Sequence, residues 1–176
     1  MSSSSPTPPT FRRATPEDAA AFGNISAATF IETFGHLYPP EDLQEFLARN
    51  CTPEACRKLL EDPAVAAWFV FLSGVEPAGF VCVGACKLPV QDLEPTAGEV
   101  RQLYVLSKHH NLRLGSQLLD IALDWLVSVG RTPLYVGVWS ENLGARRLYE
   151  RHGFRKVGEY GFPVGKTVDR EFILKR

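Results

Sequence analysis

Glu99-Val-Arg-Gln-Leu-Tyr-Val105, with Gly115 ten residues further on, is the stretch on which the fold turns. The segment 99–106 reads as a strand with a polar edge. From Leu114 the apolar residues Leu118, Ile121, Ala122, Trp125 and Val129 recur at helical spacing, and Gly130 closes that helix as a cap. A strand that runs through a polar connector into the N-terminus of a long helix makes an anion site, because unpaired amides and the helix dipole point at the same spot. The guest that suits such a spot is a phosphate. A second stretch, Asn142-Leu-Gly-Ala145-Arg-Arg-Leu-Tyr149-Glu-Arg-His-Gly153-Phe154, follows the strand-like segment 133–139. It predicts a short helix to His152, with Ala145, Leu148, Tyr149 and His152 on one face and Gly153 as its C-cap.

Upstream, residues 1–10 (Met-Ser-Ser-Ser-Ser-Pro-Thr-Pro-Pro-Thr) bury no apolar area and read as a mobile tail. Phe11 to Ala14 is a short strand, and Thr15-Pro-Glu-Asp18 supplies a cap, a first-turn proline and an acid that open a helix to about Phe34. Pro39-Pro40-Glu-Asp-Leu and Thr52-Pro53-Glu54 open two more helices. The period then changes. Two apolar runs, Ala66 to Leu72 and Ala78 to Cys86, flank a turn at Ser73-Gly74 and predict a hairpin, and segments 154–162 and 167–175 predict another around Gly165-Lys166. Helices interleaved with strands imply an α/β fold, a mixed sheet covered on both faces.

With 176 residues the chain is long enough for one domain with a full core, read as 11–176. Its net charge of −1 is scattered rather than blocked, which argues against a nucleic-acid partner. No run approaches the roughly twenty apolar residues of a bilayer span, and no signal pattern opens the chain, so no membrane partner and a cytoplasmic location are expected. The four cysteines, Cys51, Cys56, Cys82 and Cys86, form no C-x-x-C pair, so reduced thiols and no metal site are expected.

Taken together, the two motifs resemble the GNAT superfamily of N-acetyltransferases, and the resemblance runs from about Phe11 to the C-terminal residue. In that family the loop before the central helix reads Gln or Arg, two residues, Gly, one residue, then Gly or Ala. Here those positions are His110, Asn111, Leu112, Arg113, Leu114 and Gly115; the last matches, while His110 and Arg113 depart. The second motif, Asn-x-x-Ala-x-x-x-Tyr-x-x-x-Gly-Phe, is matched in full by Asn142, Ala145, Tyr149, Gly153 and Phe154.

The resemblance implies about seven strands, with the fourth and fifth splayed apart to admit acetyl-CoA as co-substrate. It implies that Leu103, Tyr104 and Val105 lend the pantetheine arm their strand edge, with a bulge nearby. The loop from His110 through Ser116 would cradle the pyrophosphate, and Asn142 and Ala145 would flank the arm. A left-handed backbone at Arg113 would cost about 1 kcal/mol where the family has glycine, although its guanidinium is also suited to a phosphate. Tyr149 would serve the departing thiolate, and Glu99 would accept the proton of an attacking amine. Without the resemblance, Tyr149 is a half-buried aromatic on an amphipathic face, Glu99 a strand-start glutamate beside Arg101, and Asn142 a plain helix cap.

Within the superfamily, Thr29-Phe-Ile-Glu-Thr-Phe34, Val136-Gly-Val-Trp-Ser-Glu-Asn142 and Tyr160-Gly-Phe-Pro-Val-Gly-Lys166 resemble the bacterial PaiA-type spermidine/spermine N-acetyltransferases. The acceptor so implied is a small-molecule amine, a polyamine among them, with Glu32, Glu41, Asp42 and Glu45 as candidate acidic walls. A protein or peptide acceptor and a non-catalytic acyl-CoA-binding regulatory module are the alternatives. A homodimer through the final strands is a further expectation of the resemblance.

Overall fold

The computed structural model describes residues 8–176, so the first part of the expected tail lies outside the described residues; Thr10 already belongs to a strand. The strands are β1 (Thr10–Arg13), β2 (Ala66–Phe71), β3 (Gly79–Ala85), β4 (Gly98–Val105), β5 (Leu134–Trp139), β6 (Arg155–Val164) and β7 (Thr167–Lys175). The helices are α1 (Ala19–Phe34), α2 (Pro40–Asn50), α3 (Pro53–Glu61), α4 (Leu114–Ser128) and α5 (Leu143–Arg151). All seven strands form one mixed sheet in the order β1-β2-β3-β4-β5-β7-β6.

The sequence dictates which faces meet. β3 is apolar on both sides, with Phe80, Val81, Cys82 and Val83 each 0% exposed, as a strand covered from above and below must be. On one face Phe22 of α1 packs edge-on against Phe80 at 4.9 Å between ring centroids. On the other, Leu118, Leu119, Ala122 and Leu126 of α4 bury a single stripe, each leucine contributing about 2 kcal/mol. Among the described residues no helix is long and apolar enough to cross a membrane.

Chain order suggests that β6 follows β5 across the sheet, but β7 takes that place. The reason is burial: Phe172, Ile173 and Leu174 are 9%, 3% and 2% exposed, so β7 carries a run fit for an interior position. β6 alternates exposed and half-buried residues and suits the edge.

β4 and β5 are parallel and pair only through Gly98–Leu134, Glu99–Tyr135 and Val100–Val136. Beyond that they part, and each is held by its other neighbour. Opposite β3, Cys82 faces Gln102 while Val83 faces Val100, which leaves Arg101 as an extra residue in a bulge that bends β4. β5 stays paired with β7 from Tyr135–Lys175 to Trp139–Glu171. The result is a fork with an open edge along Arg101–Val105 on one side and Gly137–Trp139 on the other.

Candidate active site

One side of the fork presents backbone. Past Val100 the β5-facing edge of β4 has no partner strand, so its amides and carbonyls are free to pair with an extended amide-bearing chain such as pantetheine. At its end, the Val105 carbonyl accepts a hydrogen bond from His110 Nε2 at 2.8 Å, which ties the loop back to the strand. The loop itself is bent by left-handed residues, Asn111 at φ 67° and Arg113 at φ 58°. Arg113 therefore adopts the conformation in which glycine is free of strain. It is the N-cap of α4 and makes no side-chain cap, so the amides of Leu114, Gly115 and Ser116 stand at the positive end of a fifteen-residue helix. A pyrophosphate fits that set of donors.

α5 closes this side. Asn142 Oδ1 accepts from Ala145 N at 3.1 Å and so caps the helix. Tyr149 is 5% exposed and packs edge-on against Phe154 at 5.8 Å. Burial, reinforced by the charges of Tyr104 and Glu171, pushes its phenol above the usual range, so the hydroxyl keeps its proton at neutral pH. His152, the C-cap of α5, is held on both ring nitrogens. Its Nδ1 donates to the Leu148 carbonyl at 2.8 Å, and its Nε2 meets Asp120 Oδ1 at 3.1 Å and Ser116 Oγ at 3.4 Å, bridging α5 to α4. With serine and aspartate on one nitrogen, this is a structural clamp and lacks the geometry of a nucleophilic triad.

The other side of the fork presents side chains around a cavity of about 130 Å³. The fork residues Arg101, Gln102, Tyr104 and Gly137 line one part of it, and aromatic residues of α1, α2 and β6 line much of the remainder. Glu99 lies here, 8% exposed, with its carboxylate accepting the Lys87 amide at 2.8 Å. Burial raises its pKa despite that bond and the nearby Arg101 charge. Two further carboxylates enter from β7. Glu171 accepts the Tyr160 hydroxyl at 2.6 Å, and Asp169 accepts the Tyr38 hydroxyl. Gly137 makes room for the first pair: a Cβ there would stand 2.8 Å from Tyr160 Oη and 3.0 Å from Glu171 Oε2. Burial raises the pKa of Glu171 as well.

The acids expected from sequence to wall the acceptor do other work. Asp42 accepts from Lys166 N, Thr167 N and Thr167 Oγ1 and pins the β6–β7 turn; Glu32 accepts from Ser107 N at 2.9 Å; Glu45 pairs with Arg49 on the surface. Glu41 is exposed. Asp169 and Glu171 went unnoticed because alternation on one strand is weak when read alone. The available signal was the run Thr167-Val-Asp-Arg-Glu, which puts both acids on the face of a strand flanked by Tyr160 and Phe162. Cys51, the thiol on the cavity wall, has its pKa raised by burial, which disfavours a thiolate nucleophile. Among the described residues no His, Cys, Asp and Glu cluster of metal-holding geometry occurs.

Comparison with known proteins agrees with this architecture. The chain is 26% identical over 160 residues to an uncharacterized N-acetyltransferase of Lactobacillus delbrueckii subsp. lactis, covering 91% of this chain and 92% of that one. Its fold is similar to that of the PaiA N-acetyltransferase from Thermoplasma acidophilum in complex with coenzyme A, at TM-score 0.76 and 14% identity over 97% and 99% of the two chains. It is also similar to the ribosomal-protein-S18-alanine N-acetyltransferase from Escherichia coli, at TM-score 0.68 and 16% identity over 96% and 92%. The sequence pattern of the acetyltransferase (GNAT) family matches residues 22–154, so the chain belongs to the GNAT family of acetyl-CoA-dependent N-acetyltransferases.

Proposed function

We propose that this protein moves the acetyl group of acetyl-CoA to a primary amine by direct attack in a ternary complex. The observation that carries the proposal is the fork itself. A free strand edge and a helix N-terminus lie on one side of it, and a cavity lined by carboxylates lies on the other. In this reading the backbone of Leu103, Tyr104 and Val105 holds the pantetheine arm, and the loop from His110 to Ser116 holds the pyrophosphate. Asn142 and Ala145 bound the passage, Asn142 by ordering the turn that it caps.

Glu99 takes the proton of the incoming amine, directly or through a water, so that the nitrogen lone pair can form a bond to the thioester carbonyl carbon. The carbon–sulfur bond then breaks, and Tyr149 donates its hydroxyl proton to the departing sulfur. Its raised pKa supports this role, since the phenol is intact until a strong base appears beside it. The four cysteines are all free, which supports a reducing, cytoplasmic setting.

A second reading narrows the amine to a polyamine. It is favoured by the charge of the cavity, where Glu99, Asp169 and Glu171 outnumber the one guanidinium of Arg101. Thiol release from acetyl-CoA, measured over polyamines, amino acids and peptides, tests both readings. Turnover is expected on small amines. Activity confined to peptides would assign a protein acceptor, and tight acetyl-CoA binding with no thiol release on any acceptor would make the chain an acyl-CoA-binding module.

A further inference from the structure

Among the described residues Arg101 is the one cation lining a cavity of acids, and no carboxylate stands within ion-pairing distance of it. It is the extra residue of the β4 bulge, and so its side chain is set by that irregularity rather than by the strand's alternation. The space that it fills is made by a missing side chain on the neighbouring strand. A Cβ on Gly84 would stand 2.9 Å from both the guanidinium carbon and Nη2 of Arg101. In that cradle Nη2 donates to the Ala85 carbonyl at 2.8 Å, while Nε is buried with no hydrogen-bond partner.

Among the described residues Arg101 forms no ion pair. Each of the cavity's own carboxylates accepts from a different donor and keeps further acceptor capacity toward the cavity: Glu99 from the Lys87 amide, Glu171 from Tyr160 and Asp169 from Tyr38. A guanidinium that lines a cavity without an ionic partner is costly, and the group that matches its planar set of donors best is a carboxylate brought from outside.

Resting on the reading that the cavity receives an amine, we propose that Arg101 binds a carboxylate carried by that same acceptor. The substrate is then an amine of amino-acid type rather than a plain polyamine. Its ammonium is held by the acidic groups at Glu99 and Glu171, and its carboxylate by the Nη1 end of the Arg101 guanidinium, the part that lines the cavity and is not tied to Ala85. A polyamine satisfies the acids but leaves the guanidinium facing further positive charge. A phosphate, with its larger negative charge, meets three carboxylates in a small space, so a carboxylate is the anion that fits.

The test uses the full chain and matched acceptors that differ only in the carboxylate, L-lysine against cadaverine and L-phenylalanine against phenethylamine. In at least one pair the carboxylated member is expected to have a kcat/KM about 10- to 100-fold higher, the range of a charge-assisted hydrogen-bonded contact. Arg101→Gln is expected to collapse that ratio toward one, and Arg101→Lys to keep part of it, having the charge without the planar fork. The inference is overturned if the wild-type protein prefers the plain amine in both pairs, or if Arg101→Gln lowers both members alike and leaves the ratio where it was. The wild-type ratio decides the matter alone should the variants fail to fold. If no amine is acetylated at all, the enzymatic reading fails separately, and calorimetric titration of the CoA-loaded protein still judges Arg101: L-lysine binding more tightly than cadaverine supports it, and the reverse or equality overturns it.

Discussion

The two sides of the fork are built from different materials. Toward the proposed acetyl-CoA site the protein offers main chain: a free strand edge, a loop bent by left-handed residues and the first amides of α4. Toward the acceptor it offers side chains brought together from α1, α2, β4, β6 and β7. Main-chain donors have the same chemistry whatever residue carries them, so the first side should tolerate side-chain replacement and suffer from changes of backbone geometry. The second side should behave in the opposite way, because each group there is a particular carboxylate, phenol or guanidinium.

Tyr149 is the exception that sharpens this contrast, a single side chain on which the donor side depends in the proposed mechanism. Tyr149→Phe is expected to lower kcat by about 10- to 1000-fold while acetyl-CoA affinity measured by calorimetry stays nearly constant, the pattern of an interaction made in the transition state. Unchanged turnover would remove Tyr149 from the chemistry and leave the donor side wholly main chain.

On the acceptor side, Glu99→Gln is expected to cost roughly 10- to 100-fold at neutral pH. Because burial raises the carboxyl pKa of Glu99 from its ordinary value, the wild-type rate should fall as pH drops through that raised pKa. The deficit of the variant should shrink at alkaline pH, where the amine sheds its proton unaided. A deficit that is the same at every pH would mean that Glu99 only shapes the cavity.

Smaller effects probe the main-chain claim itself. Gly115 is the second residue of α4, where proline is compatible with the helix but removes one amide and pushes Leu114 out of helical geometry. Gly115→Pro is expected to weaken acetyl-CoA binding by about 1 to 3 kcal/mol, read by calorimetry. Normal affinity would place the phosphates elsewhere. Arg113→Gly relieves a left-handed arginine and is expected to stabilise the fold by about 1 kcal/mol, raising the thermal midpoint by roughly 2–4 °C. If acetyl-CoA binding in that variant also loses salt dependence, the guanidinium touches a phosphate; if it does not, the arginine is merely tolerated in the loop.

The same contrast explains how much could be read from the chain. Turn and cap residues write main-chain geometry into local sequence, so the Thr15–Asp18 capping box, the loop before Gly115 and the Asn142 cap were visible as patterns of a few neighbouring residues. The bulge at Arg101 and the interior place of β7 were not visible, because both depend on what lies across the sheet. The acceptor cavity was least legible. Tyr38 and Asp169 are 131 positions apart, and no local rule pairs them. The acids that sequence made conspicuous, on α1 and α2, were conspicuous because they were exposed or used in anchoring.

The place of β7 between β5 and β6 also sets an order of events during synthesis. A growing chain has β4, the phosphate loop, α4, β5 and α5 in hand before residues 167–175 leave the ribosome, yet β5 has no antiparallel partner until they arrive. Asp169 and Glu171 come with that strand, and Asp42 must wait for Thr167 before it can fasten the hairpin turn. Two of the cavity's three acids therefore reach the molecule with the strand that pairs with β5, after Glu99 of β4 is already in place. A chain halted before β7 holds the proposed donor loop and both proposed catalytic residues but lacks one wall of the cavity, so on the proposed function selectivity for the acceptor is the last property to be acquired.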